Sequence, residues 1–191
     1  MEYKEDGQYI KKVLNGETNA YAFLVNKYKS MVFSLALKML KNREDAEEVA
    51  QDAFVKAYQS LSQFRGGARF STWLYRIVYN TAVSRLRRSS YEVLSIDDKG
   101  VEEKEPDEIA GAYHKLKESE RKKFLDIVLE KLDPDENFLV TLYYYEEKEL
   151  DEIGQITGLT KNNVKVRIFR ARQKMMVMLK QYLNKEIIEI L

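Results

Sequence analysis

Leu150 to Met175 reads LDEIGQITGLTKNNVKVRIFRARQKM. Leu150, Ile153 and Ile156 fall on one helical face, and Gly158 supplies the stop where a positive φ costs little. Thr160 is placed to cap the next segment, whose Val164, Ile168, Ala171 and Met175 face inward at helical spacing. That leaves Lys161, Asn162, Lys165, Val166 and Phe169 along another face. Helix, glycine turn, cap and basic helix together predict a helix-turn-helix. A generic helical hairpin would explain the apolar stripe but not the eight basic residues from Lys161 to Lys185, a stretch with no acid. Lys161, Asn162, Asn163, Lys165 and Val166 stand where a recognition helix meets base edges. Arg167, Arg170, Arg172 and Lys174 stand where phosphates are neutralised.

The whole chain is far less basic than this segment. Its 191 residues carry a formal net charge of +1, from 32 Lys and Arg against 31 Asp and Glu. Divided along the chain, the charge alternates: +6 over residues 1–90, −6 over 91–120, −5 over 121–160 and +6 over 161–191. Two basic stretches separated by a seventy-residue stretch of net negative charge read as two surfaces for a polyanion. The longest charge-free runs are nine residues, so no membrane-spanning helix is expected. The start MEYKED has no apolar signal region, and a cytoplasmic location is expected. With no cysteine and one histidine, His114, disulfides and the usual zinc sites are excluded, and no cofactor is expected.

Apolar periodicity predicts an all-α chain of two small helical domains, residues 1–90 and 120–191, joined by an acidic linker over 91–119. A short helix carrying Ile10, Val13 and Leu14 is expected to stop at Asn15 and Gly16, with Thr18 as cap for a long core helix from Ala20 to Leu40. Ala46, Val49, Ala50, Ala53, Phe54, Ala57, Tyr58 and Leu61 then step by three and one, a helical stripe with an acidic opposite face. After Gly66 and Gly67, Ser71 or Thr72 is expected to cap a helix with Leu74, Ile77, Val78 and Thr81 inside, ending near Arg88. The linker, with its run IDDKGVEEKEPDE, would have an end-to-end distance of about 30 Å as a flexible chain of about 30 residues and a limit of about 100 Å. Phe124, Ile127, Val128 and Leu132 resume the helical pattern, and Asp133-Pro134 starts another helix. Tyr143, Tyr144 and Tyr145 are expected at the core and its rim. The end, KEIIEIL, offers an apolar face to be covered.

Phe64 to Arg88, FRGGARFSTWLYRIVYNTAVSRLRR, holds six arginines and no acid. Arginines neutralise phosphates, and Phe64, Phe70, Trp73, Tyr75 and Tyr79 could stack on bases that have left a duplex, the combination single-stranded nucleic acid calls for. Core packing is an equal reading for Phe70 and Tyr75. Glu44, Asp45, Glu48, Gln51 and Asp52 line the polar face of the striped helix. They could be a solvated face, a docking surface for a basic partner or, least well supported, carboxylate ligands for Mg²⁺ in a phosphoesterase.

Three segments, in order, resemble the extracytoplasmic-function sigma factors of bacterial RNA polymerase: AEEVAQDAFVKAY (Ala46 to Tyr58), FSTWLYRIVYNTAVSRLRR (Phe70 to Arg88) and EIGQITGLTKNNVKVRIFRAR (Glu152 to Arg172). The resemblance implies a region 2 helical bundle, a region 4 helix-turn-helix and no catalysis by the chain itself. It implies that Asp45, Glu48, Gln51, Asp52 and Lys56 face the clamp helices of core RNA polymerase. Arg65, Arg69, Phe70, Ser71, Thr72, Trp73, Arg76, Asn80 and Arg87 would hold opened minus-ten promoter DNA. Lys161, Asn162, Asn163, Lys165, Val166, Arg167, Arg170 and Arg172 would read the minus-thirty-five element, and an anti-sigma factor would be a further partner. Ser84 replaces the family's usual acid, Gly154 its usual alanine and Asn163 a common threonine. A free-standing helix-turn-helix regulator, needing no polymerase, is the alternative. The acidic linker is further expected to fold back on Arg85 to Arg88 in the free protein and suppress binding to random DNA.

Overall fold

The computed structural model describes residues 2–89 and 118–189, which form eight α-helices with no strand among the described residues. In the first half these are α1 (Glu2–Leu14), α2 (Tyr21–Leu40), α3 (Arg43–Gln59) and α4 (Phe70–Ser89). Gly16, at φ 98°, turns the chain out of α1. Thr18 is not a cap: it opens a short 3-10 turn, Thr18–Ala20, and α2 starts behind Ala20 without a side-chain cap. Between α2 and α3, Lys41 takes the left-handed conformation and Asn42 caps α3 by accepting the Asp45 amide at 3.0 Å. The stripe read from α3 is buried at Ala46, Val49, Ala50, Ala53 and Ala57. Small side chains let α2 and α4 approach it closely. Ser71 and Thr72 are not caps either, because α4 begins at Phe70, and Thr72 is buried in its first turn.

The second half contains α5 (Glu118–Lys131), α6 (Pro134–Tyr144), α7 (Leu150–Thr157) and α8 (Lys161–Glu189). Asp133 and Glu136 form a capping box ahead of α6, with Pro134 at its first position. Asn137, buried in α6, donates to the Leu129 carbonyl at 2.7 Å and ties α6 to α5. Gly158, at φ 78°, closes α7, and Thr160 accepts the Asn163 amide at 3.3 Å to start α8. Tyr143, Tyr144 and Tyr145 are all exposed, between 38% and 53%, so the expectation of core and rim is corrected. Helix α6 ends at Tyr144, where the chain turns away from the core. Of the linker expected over 91–119, residues 91–117, His114 included, lie outside the described residues, as do the side chains of the apolar tail, whereas residues 118 and 119 already belong to α5.

A single hydrophobic cluster runs through both halves. It joins Leu24, Leu35, Leu74 and Val78 to Phe138, Leu139, Leu142, Ile153, Ile156, Val164 and Ile168. Helix α2 packs on α6, and α4 packs on α7. Lys41 Nζ donates to the Leu132 carbonyl at 2.8 Å, a polar tie across the same boundary. Sequence periodicity left the partner of each apolar face open, and here the two halves cover one another.

The helix-turn-helix depends on a glycine with no room for a side chain. A Cβ at Gly154 would lie 2.8 Å from the Leu159 carbonyl oxygen, a backbone atom that moves only if the turn itself shifts. Alanine at this helical position would ordinarily gain about 1 kcal/mol in propensity, whereas forced overpacking costs about 1–3 kcal/mol. Gly154→Ala is therefore expected to lower stability in a urea titration of the full chain. A higher midpoint would show that the Leu159 turn yields.

Candidate nucleic-acid interface

The arginine-aromatic segment folds as a loop followed by a helix. Gly66, at φ 72°, lets the chain reverse between Phe64 and α4. Phe64, Phe70 and Trp73 then form a three-ring box, with centroids 5.7 Å apart for Phe64–Phe70, 5.3 Å for Phe64–Trp73 and 5.7 Å for Phe70–Trp73. Phe70 is the buried ring, whereas Phe64 and Trp73 are half-buried. Arg65, Arg69, Arg76, Asn80 and Arg87 are exposed along the loop and one side of α4, and Ser71 is half-buried. Tyr75 is core, settling the even choice made from sequence.

The opposite half covers part of this surface with carboxylates. Thr72 donates its hydroxyl to Glu152 in a short hydrogen bond. Glu152 also pairs with Lys148 at 3.2 Å, both side chains being largely buried. The Tyr75 hydroxyl lies 3.5 Å from Glu146, and that of Tyr79 lies 3.3 Å from Asp135. Burial and the Asp135 charge push Tyr79 up to about 12. Burial first, then Glu146, pushes Tyr75 higher still. Burial raises the Glu146 carboxyl above its ordinary value, against Lys148 and the Tyr75 hydroxyl, which pull it down. Tyr79 also packs its ring 5.0 Å from that of Phe138. Clefts at the edges of this contact bring Arg69 and Thr72 beside Glu149, Glu152 and Gln155, and Arg76 beside Asp151 and Lys161.

On α8, Asn162, Asn163, Lys165 and Val166 are exposed on one surface. Lys161 is exposed too but is engaged by Asp151 at 2.6 Å, and Asp151 raises its pKa. Arg167 lies 3.6 Å from Asp135, and Lys174 is held by Asp133 at 3.0 Å and Glu136 at 2.7 Å. Arg172 is exposed and Arg170 half-buried, next to the recognition surface. Several of the cations expected to meet phosphate thus already have a carboxylate partner.

The acidic face of α3 presents Glu44, Glu48, Gln51, Asp52 and Lys56 to solvent, with Asp45 half-buried. Lys56 donates to the Thr81 hydroxyl at 3.2 Å. Arg85 is clamped by Asp45 at 2.5 Å and Glu48 at 2.9 Å, so the acids that hold it belong to α3. The expectation that the linker's acids fold back on Arg85 to Arg88 falls on residues 91–117, which lie outside the described residues. Among the described residues no three His, Asp or Glu side chains come together as metal ligands.

Sequence reasoning passed over the carboxylates of Glu146 and Glu152 and a buried Asp6, which bonds Lys27 and Tyr28 at 2.7 Å each. For Asp6 a signal existed, since it steps by four and three into Ile10 and Val13 on the inward face of α1. For the glutamates no local signal existed, because their partners are about seventy to eighty residues away.

Residues 24–91 match the family described as Sigma-70 region 2, and residues 125–175 match Sigma-70, region 4. The ECF RNA polymerase sigma factor SigW of Bacillus subtilis (strain 168) is 33% identical over 175 residues, covering 86% of this chain and 91% of its own. The RNA polymerase sigma-H factor of Pseudomonas aeruginosa is 31% identical over 188 residues, covering 89% of this chain and 91% of its own. Among solved structures, CnrH in complex with the cytosolic domain of CnrY superposes with a TM-score of 0.61 at 23% identity, over 91% of this chain and 96% of that one. The sigma factor RpoE in complex with the anti-sigma factor NepR, from Bartonella quintana, gives 0.59 at 23% identity, over 88% and 98%. Both solved structures share the fold, and with the two matched regions in order and the identity to SigW spanning nearly the full length, the chain belongs to the extracytoplasmic-function sigma factors of the sigma-70 family.

Proposed function

We propose that this chain directs promoter-specific transcription initiation as a subunit of bacterial RNA polymerase, acting in the cytoplasm with no catalysis of its own. The observation that carries the reading is the juxtaposition, on one bundle, of an exposed acidic face on α3 with an aromatic box and arginine loop at the head of α4. A free-standing regulator has use for α8 but none for that box. Residues 1–90 act as the region 2 domain and 120–191 as the region 4 domain, with 91–119 connecting them. Asp45, Glu48, Gln51, Asp52 and Lys56 dock on the polymerase clamp helices. The Arg65 to Thr72 loop, Trp73, Arg76, Asn80 and Arg87 hold minus-ten bases, and Lys161 to Arg172 reads the minus-thirty-five element. An anti-sigma protein is a fitting further partner, since RpoE of Bartonella quintana was solved in complex with the anti-sigma factor NepR.

Distance requires the closed arrangement to open. Elements about 25 base pairs apart lie roughly 85 Å apart along B-DNA at about 3.4 Å per step, whereas α4 and α7 touch here. A linker able to stretch to about 100 Å spans that gap.

Run-off transcription by core polymerase on promoter fragments from the source genome is expected to show start sites that depend on this protein. Gln51→Ala or Asp52→Ala should reduce them by weakening polymerase binding. Duplex binding without polymerase and without any start site would move the assignment to the regulator. For the closed state, Glu152→Ala removes the carboxylate shared by Thr72 and Lys148, a charged hydrogen bond whose loss shifts the open-to-closed ratio by about ten- to a hundredfold. Binding of a dT20 oligonucleotide to the free chain should rise accordingly in fluorescence anisotropy, and unchanged binding would show that Glu152 does not hold the closure.

Glu146 gives the closure a pH dependence. Burial raises its pKa in the closed chain, so if opening returns the carboxyl to water, closing takes up a proton. The favourable contribution is complete below the ordinary glutamate pKa and is lost as pH rises through the raised value. Small-angle scattering of the free chain is expected to show expansion over that window as pH rises, and Glu146→Gln should abolish it; a radius of gyration with the same pH dependence in both proteins would remove Glu146 from the account.

A further inference from the structure

Helix α1 docks on α2 through apolar contacts and through one buried carboxylate. Ile10 and Val13 are buried against the bundle, and Tyr9 stacks on Phe23 with centroids 3.7 Å apart. Asp6 lies on the same inward face at 7% exposure, with one oxygen taken by Lys27 and the other by the Tyr28 hydroxyl, each at 2.7 Å. Burying an ion pair contributes little net stability compared with an apolar pair of similar volume, but it defines geometry when every polar atom is satisfied. Here the geometry defined is that of the Tyr28 ring. That ring sits 5.6 Å from Phe70, the buried floor of the box completed by Phe64 and Trp73.

We propose that Asp6 is a positioning residue for minus-ten DNA: by fixing the Tyr28 hydroxyl it sets the ring on which Phe70 rests, and so the attitude of Phe64, Trp73 and the glycine loop between them. The inference rests on the reading above, that this box holds opened promoter bases. Asp6 itself touches no DNA. The route is a chain of contacts, from carboxylate to phenol, from phenol ring to Phe70, and from Phe70 to the two half-buried rings. Rings at these separations move together, since each is packed edge or tilt against the next.

The chain's single tryptophan is Trp73, so its fluorescence reports the box directly. Asp6→Asn and Tyr28→Phe, each in the full chain, remove the link while keeping the side-chain shape. Ile10→Ala serves as control, loosening α1 without touching the link. Both link variants are expected to shift Trp73 emission and its quenching by acrylamide while far-UV circular dichroism is unchanged. In holoenzyme assembled with core polymerase, on a promoter mapped by run-off, permanganate reactivity of minus-ten thymines should fall roughly tenfold, the size of one weakened base-stacking contact. Affinity for core polymerase should be unchanged. Wild-type emission and opening in both link variants would overturn the proposal, as would an Ile10→Ala protein that reproduces their defects at an equal loss of thermal stability. Trp73→Ala separates the two levels of the argument. If it opens the promoter as wild type does, the reading of the box fails; if it is defective while Asp6→Asn is not, only the role of Asp6 fails.

Discussion

Helix α4 has to be buried on two sides. Leu74, Val78 and Ala82 are fully buried, and α4 packs against both α2 and α3. Thr72, Tyr75 and Tyr79 meet α6, α7 and the turn between them. A helix between two partners cannot also present those residues to DNA, so the state of the whole chain turns on which neighbour the second face has. The alanines of α3 make the first neighbour permanent, because close apolar packing over a full helix length is the larger and less reversible term. The second contact mixes Phe138 and Leu139 with hydroxyl-carboxylate pairs, the composition of an interface that can part.

Charge explains why a DNA-binding chain is nearly neutral. Among the described residues, acids pair with the basic surfaces: Asp133, Asp135 and Glu136 with Lys174 and Arg167, Asp151 with Lys161, and Asp45 and Glu48 with Arg85. Most of these pairs are well exposed, so each contributes little to stability and is exchanged readily for a phosphate. Their effect is on competition. A polyanion must displace local carboxylates one by one, which lowers affinity for random nucleic acid while leaving the cations in position.

The fold within each half was legible because helical periodicity is a local property. The alanine stripe of α3, the Leu150, Ile153 and Ile156 face of α7 and the Gly158 stop all appear as read. Caps were less legible: Thr18 and Thr72 have the chemistry of caps, but one opens a 3-10 turn and the other sits within the first turn of a helix, where its hydroxyl serves Glu152. The three tyrosines ending α6 were misplaced because aromatic character signals burial only on average. Which apolar face covers which was not legible at all. Periodicity shows that α2, α4, α6 and α7 each have a surface to bury, and nothing in a single sequence says that α2 meets α6. Asp6 was legible in principle, as an acid inside an apolar stripe.

The residue types on the second face of α4 suit a surface with two lives. Leucine there would bury well against Phe138 and then stand in water, at a cost, when the halves part. Tyrosine buries its ring against Phe138 and satisfies its hydroxyl on Asp135 or Glu146, and when uncovered the same hydroxyl is hydrated while the ring face remains available to a base. Glutamate and aspartate on the facing helices occupy, in the closed chain, hydroxyl and cation positions that a nucleic acid would otherwise approach. Under the proposed function, aromatic rings with polar edges opposite carboxylates let one helix serve as core and as binding surface, with neither state requiring an unsatisfied group.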